Sequence, residues 1–273
     1  MSQEVVARFE AFIQKITARY QEVLAEADAG FADLIASDPT DTITYGNAMN
    51  GIHARVLGLG KMLQDTYQNQ VSPQVSPQMS PQEDSAGRDR LDAVQRWLDD
   101  DWARRKATYE TNIYRALWPL AQAAMQKGAP CTHCGRELKL KNSIMVEAIT
   151  CPGCHTVNQV APDPVVSTYF GGAPHAFAIA ATLPKREAIN AQRKRAHEWR
   201  RARNWADESI EFLREWEALE RDYWTTYYAT HSSISPLSDK DRTEYIESRM
   251  RPFYEALERN EVEWRKFKGL ATR

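Results

Sequence analysis

CTHCGRELKLKNSIMVEAITCPGC, residues 131–154, holds all four cysteines of the chain as two Cys-x-x-Cys pairs, Cys131 with Cys134 and Cys151 with Cys154. With two residues between them, both thiolates of a pair reach one ion from a tight turn whose backbone N–H groups face the sulfurs. Sixteen residues separate Cys134 from Cys151, inside the interval of zinc modules. The stretch is therefore read as one closed four-cysteine site, with one structural Zn2+ per chain expected and iron as the alternative. Four thiolates leave no coordination position for a catalytic water. A dithiol redox role would call for a nearby βαβ pattern, which the flanking sequence does not offer.

Between the pairs, Glu137-Leu138-Lys139-Leu140-Lys141 alternates, Asn142-Ser143 suits a turn and Ile144-Met145-Val146 is strand-like, which predicts a short hairpin linking two knuckles. Thr156-Val157-Asn158-Gln159-Val160 is a candidate third strand. With CTHCG as the first knuckle and CPGCH as the second, residues 128–162 resemble a zinc ribbon, and the resemblance is confined to them. His133 and His155 lie within or just after the knuckles, where surface placement or a hydrogen bond to a ligand is expected ahead of metal coordination.

On either side of the module the pattern is helical. Val5, Phe9, Phe12, Ile16, Tyr20, Val23 and Ala27 step by three and four, predicting an amphipathic helix over residues 2–36. After the turn Ser37-Asp38-Pro39-Thr40-Asp41, a second helix with the seam Ile52, Val56, Leu59 and Leu63 completes a helical hairpin over 1–70. Gly51, Ala54 and Gly58 on this helix are read as room for close packing against a neighbouring helix. The repeat VSPQVSPQMSPQ removes a backbone donor at each proline and biases each preceding serine away from helix, so 71–83 is read as a linker. A long helix is expected over 84–127, with Leu91, Val94, Trp97, Leu98, Trp102, Tyr109, Ile113, Leu117 and Leu120 as its apolar points. Residues 163–183, with Tyr169-Phe170-Gly171-Gly172-Ala173-Pro174, read as a loop, and 184–273 as helices that pack with 84–127. The expected fold is mainly α, an elongated helical bundle or antiparallel helical arms with a small β zinc ribbon inserted.

Composition excludes several classes. Hydrophobic residues make up 42% and charged residues 26% of the 273, with no apolar run long enough to span a bilayer, so no membrane insertion is expected. The charged N-terminal stretch lacks a signal-peptide pattern, and paired Cys-x-x-Cys spacing suits a reducing compartment, so a cytoplasmic location is expected. No His-Glu-x-x-His, Glu-x-x-His or Gly-x-Ser-x-Gly motif occurs. GLGK at 58–61 fails as a phosphate loop, since Arg55 replaces the first glycine and Met62 the required hydroxyl. Asp99-Asp100-Asp101 point about 100° apart on a helix and do not converge. The chain is read as having no enzymatic activity.

The charge is unevenly placed. Residues 1–70 carry five basic and nine acidic side chains, for −4, and 205–273 carry eleven and fifteen, also −4. Residues 185–204 carry eight and two, for +6. There Arg186, Arg193 and Arg200 recur every seven residues with Lys194 and Arg201 beside them, a stripe of about 21 Å. This stripe is read as a surface for an acidic protein partner or for the chain's own acidic helices, with nucleic acid as the alternative. Tyr228 and Trp224 are candidate exposed anchors for a partner. The functional expectation is an interaction or scaffold protein in which the zinc ribbon joins and caps helical arms. The alternative is a nucleic-acid-associated regulator using the ribbon and the basic stripe. Homo-oligomers through the helical seams fit either reading.

Overall fold

Phe9, Ile13, Ile16, Tyr20, Val23, Leu24, Ala27 and Phe31 place one continuous buried face on α1 (Gln3–Ser37). Asp41 then caps α2 (Thr42–Thr66), its side chain accepting the Thr44 N–H at 3.0 Å, and Val56, Leu59 and Leu63 turn that helix back along α1. In this computed structural model the described residues are 3–75, 81–140, 144–202, 210–235 and 239–267. The chain divides into two compact units, Met1–Pro119 and Leu120–Arg273.

The third wall of the first unit is α4 (Pro81–Met125), whose Leu91, Val94, Leu98, Trp102, Tyr109 and Ile113 are buried in one core with α1 and α2. The seam assigned from sequence to the C-terminal helices is thus spent, over these residues, on the N-terminal hairpin. Two tyrosine–carboxylate bonds fix the register. Tyr20 donates to Asp101 at 3.0 Å and Tyr109 donates to Asp28 at 2.6 Å. Arg90 adds a two-pronged bond to Glu10 at 2.7 and 2.9 Å. Sequence numbers rise together on the two helices in these pairs, so α1 and α4 run parallel, with α2 antiparallel between them in chain order. Burial, helped by the acceptor Asp101, pushes the Tyr20 phenol well above its ordinary pKa.

Two expectations for this unit fail. The proline repeat begins in helix, because a π-helical turn at Tyr67–Val71 leads directly into α3 (Ser72–Val75). Tyr67 and Val71 are both 4% exposed and join the core, and that burial carries the helix past the point where the prolines argue for an end. The rest of the repeat, 76–80, lies outside the described residues. Gly51 and Gly58 also do not seat a neighbouring helix: a Cβ at either would meet open space, and they lie on an exposed face of α2 with Leu57 and Met62.

In the second unit, α5 (Pro164–Ala202) packs along α6 (Ile210–Ile234), which packs against α7 (Asp239–Phe267). The loop predicted over 163–183 is the first half of α5, with Pro174 and Pro184 inside it. Ala173, Ala176 and Ala178 are buried, and small side chains let neighbouring backbone approach closely enough to offset the bonds the prolines remove. Buried Thr182 returns its hydroxyl to the Ala178 carbonyl at 2.8 Å. Tyr228, read as an exposed anchor, is 4% exposed and packs with Ile246 and Met250, while Trp224 is half-buried beside them. Among the described residues, no helix is long and apolar enough to cross a membrane. The fold is mainly α with two small antiparallel sheets, both in the cysteine region.

Candidate metal centre

Each Cys-x-x-Cys pair forms the turn of its own hairpin. The first joins β1 (Ala129–Pro130) to β2 (Glu137–Leu138), and the second joins β3 (Glu147–Thr150) to β4 (Val157–Val160). The hairpin predicted between the pairs is therefore absent among the described residues, and Ile144–Val146 precede a strand rather than form one. The physical reason lies in the knuckles, whose own hydrogen bonds close the strands locally. Cys131 donates its N–H to the Arg136 carbonyl at 2.8 Å, and Cys151 does the same to Thr156 at 2.9 Å. Gly135 donates to the Cys131 carbonyl at 2.9 Å, and His155 to the Cys151 carbonyl at 3.0 Å. The predicted third strand is present as β4.

The two turns share a backbone position with left-handed geometry: Gly135 has φ +71° and His155 φ +61°. Glycine adopts this region freely, whereas an L side chain there costs about 1–2 kcal/mol. His155→Gly is accordingly expected to leave metal stoichiometry unchanged and to hold or raise stability by up to about 1 kcal/mol. Gly135→Ala is expected to lower it by about 1 kcal/mol. Chelator competition against each purified variant checks both, and loss of metal from His155→Gly would mean that the imidazole is a ligand after all.

These turns bring Cys131, Cys134, Cys151 and Cys154 together, with all four Sγ atoms within 4.8 Å of one another. The pairs Cys131–Cys154 and Cys134–Cys151 stand 3.6 Å apart, well beyond the bonded distance of about 2.05 Å, so these are free thiols and not disulfides. Cys131 and Cys151 are buried, Cys154 is half-buried and Cys134 is exposed, so one side of the cluster faces solvent. Leu138 is buried against Cys131 and Cys151, with Ile149 and Val160 beside them, and this is the apolar core of the module.

Hydrogen-bond donors favour the thiolate at two of the four sulfurs. The backbone N–H groups of Cys134 and His133, with the Asn158 amide, draw the Cys131 thiol down to about 6. The Thr156 hydroxyl, 3.4 Å from Cys154 Sγ, and the Thr156 backbone N–H hold Cys154 below its usual range. At Cys134 the Arg136 N–H acts in the same direction, but the neighbouring sulfurs outweigh it and push that thiol up to about 11. Crowding of this kind is what a bound cation relieves. Four sulfurs in this arrangement can hold one metal ion.

Sequence reading missed the residue that ties the knuckles together. Asn158 on β4 is 3% exposed; its carbonyl oxygen accepts the Thr132 N–H at 2.8 Å and the Thr132 hydroxyl at 2.9 Å. Its amide nitrogen donates to the Thr156 carbonyl at 3.0 Å and approaches Cys131 Sγ at 3.5 Å. The available signal was period two, which puts Asn158 on the inward face with Val160. Asn158→Ala takes the acceptor from both Thr132 donors and the amide from the Cys131 sulfur, and is expected to weaken metal affinity about 10–100-fold. Competition with a zinc indicator measures this, and an unchanged affinity would count against the role.

Of the basic stripe, Arg186, Arg193 and Lys194 are exposed on α5. Arg193 reaches the buried Glu220 of α6 at 3.0 Å, and neighbouring Lys185 pairs with Asp222. The side chains of Arg200 and Arg201 lie outside the described residues. Part of the stripe is therefore bonded to acids of its own unit. Comparison with models of protein families, with curated proteins and with solved structures finds no match to this chain.

Proposed function

We propose that this chain is a non-enzymatic interaction or scaffold protein in which a structural Zn2+ closes the two knuckles into a rigid docking module between helical segments. The observation that carries the reading is the four-sulfur cluster itself. A tetrahedral ion with Zn–S bonds of about 2.3 Å needs sulfurs about 3.8 Å apart, close to the 3.6 Å of the Cys131–Cys154 and Cys134–Cys151 pairs. Cys131, Cys134, Cys151 and Cys154 would hold the ion and fill its coordination, so it supplies folding energy and rigidity and takes no substrate. Iron held by the same four thiolates is the alternative occupant.

The module also presents surface for a partner. Met145, Val146 and Val157 are 64%, 65% and 63% exposed, on a scaffold whose position the metal fixes. The test is affinity capture with cross-linking from the native host, comparing wild type with the double variant Val146→Asp, Val157→Asp, whose substituted side chains lie outside the sulfur cluster and its apolar core. The reading expects a protein cross-linked to residues 128–162 that the variant loses while retaining its metal. Salt-dependent binding of the wild type to DNA or RNA, abolished by neutralising Arg186, Lys194, Arg200 and Arg201, would instead establish the nucleic-acid reading.

A further inference from the structure

The helices of the second unit line a half-open hollow that the metal centre does not use. Between α6 and α7, with Arg193 of α5 at its edge, lies a cavity of about 460 Å³, within the range of about 300–1,000 Å³ typical of small-molecule sites. Two of its walls are aromatic. Trp216 and Trp224 are eight residues apart on α6, about 12 Å along the helix. Trp216 meets Phe253 edge-on at 5.6 Å, and Trp224 meets Tyr245 at 6.3 Å. Midway between the tryptophans, Glu220 is 7% exposed and accepts from Trp216 Nε1 at 3.2 Å and from Arg193 at 3.0 Å. Its charge is therefore already balanced within the cavity.

Arg249 is different. Its guanidinium lies 5.3 Å from the Trp224 ring centroid and 5.1 Å from that of Tyr245. Arg193 and Arg221 each meet a carboxylate, but Arg249 has none among the described residues. Attraction to the two rings restrains the cation, and its N–H groups meet no carboxylate among the described residues. A planar fork presented this way matches a carboxylate or phosphate bidentately. Pro252, also on the cavity wall, has no N–H to donate to the Ser248 carbonyl four residues earlier.

We propose that this cavity binds a small molecule composed of a planar aromatic ring and one anionic group, carboxylate or phosphate. The ring packs on the tryptophan walls and the anion is gripped by Arg249. With Glu220 balanced by Arg193, the residual charge of the site is that of Arg249, so an anionic ligand is favoured over its uncharged counterpart.

The test titrates the full chain with two anionic probes, indole-3-acetate and adenosine 5′-monophosphate, and with their uncharged counterparts, indole-3-acetamide and adenosine. Calorimetry and tryptophan fluorescence provide the readouts. At least one anion is expected to bind at submillimolar concentration and its uncharged counterpart at least about tenfold more weakly. Which anion binds distinguishes a carboxylate from a phosphate ligand. Arg249→Gln is expected to lose about tenfold in affinity with at most a small drop in melting temperature, because the side chain is exposed, is bonded to no acid among the described residues and gives up only its two ring contacts. Metal content, unaffected by this variant, separates failure here from failure of the zinc reading. Absence of binding by both anions at millimolar concentration, equal binding of charged and uncharged probes, or full affinity in Arg249→Gln would overturn the proposal.

Discussion

Cys151→Ala is expected to release the metal and open residues 128–162 to proteolysis, while the helices of the N-terminal unit keep their circular-dichroism signal. Cys151 is fully buried and shares the small core with Cys131 and Leu138. Strands of two and four residues cannot hold a fold by themselves, and in comparable sites the metal contributes an apparent binding free energy of about 10–16 kcal/mol. By contrast, α1, α2 and α4 bury a continuous apolar core of their own. Limited proteolysis with mass mapping checks the outcome, and a strong chelator added to wild type should reproduce the cleavage pattern. A module equally resistant with and without its metal would show that Leu138, Ile149 and Val160 suffice.

The second large effect concerns the core of the first unit. Leu98 of α4 is 1% exposed within the cluster formed with α1 and α2, so Leu98→Ala should cost about 2–5 kcal/mol through lost burial and the cavity left behind. Leu57→Ala on α2, where the side chain is 54% exposed, should stay within about 0.5 kcal/mol. Urea unfolding of the two variants measures the contrast. Equal, small effects would mean that α4 does not close this unit, and the Tyr20–Asp101 and Tyr109–Asp28 register would have to be rejected with it.

What could be read from sequence was whatever is decided locally. The cysteine spacing specifies four sulfurs that converge whatever surrounds them, and the three-and-four stepping of Phe9, Ile16, Tyr20 and Val23 specifies which face of α1 is buried. A seam does not say against what it is buried. Leu91 to Ile113 served equally well for pairing with C-terminal helices, and only the long-range bonds to Glu10, Asp28 and Tyr20 identify the partner. The same limit explains the start of α5, where Gly171-Gly172-Ala173-Pro174 carries turn chemistry that buried alanine contacts override. At Gly51 and Gly58 the error ran the other way, since small residues permit close packing without requiring it. Within the module, strands of a few residues have too little pattern to fix their pairing, so the hydrogen bonds inside each knuckle decide it.

One structural zinc per chain is the central proposal, and elemental analysis of the full chain, purified without chelator and paired with a thiol titration, tests it most directly. One zinc per chain is predicted, with the four thiols protected from reagent until a chelator removes the ion. Metal-free protein with four freely reactive thiols, or protein loaded stoichiometrically with iron, would contradict it.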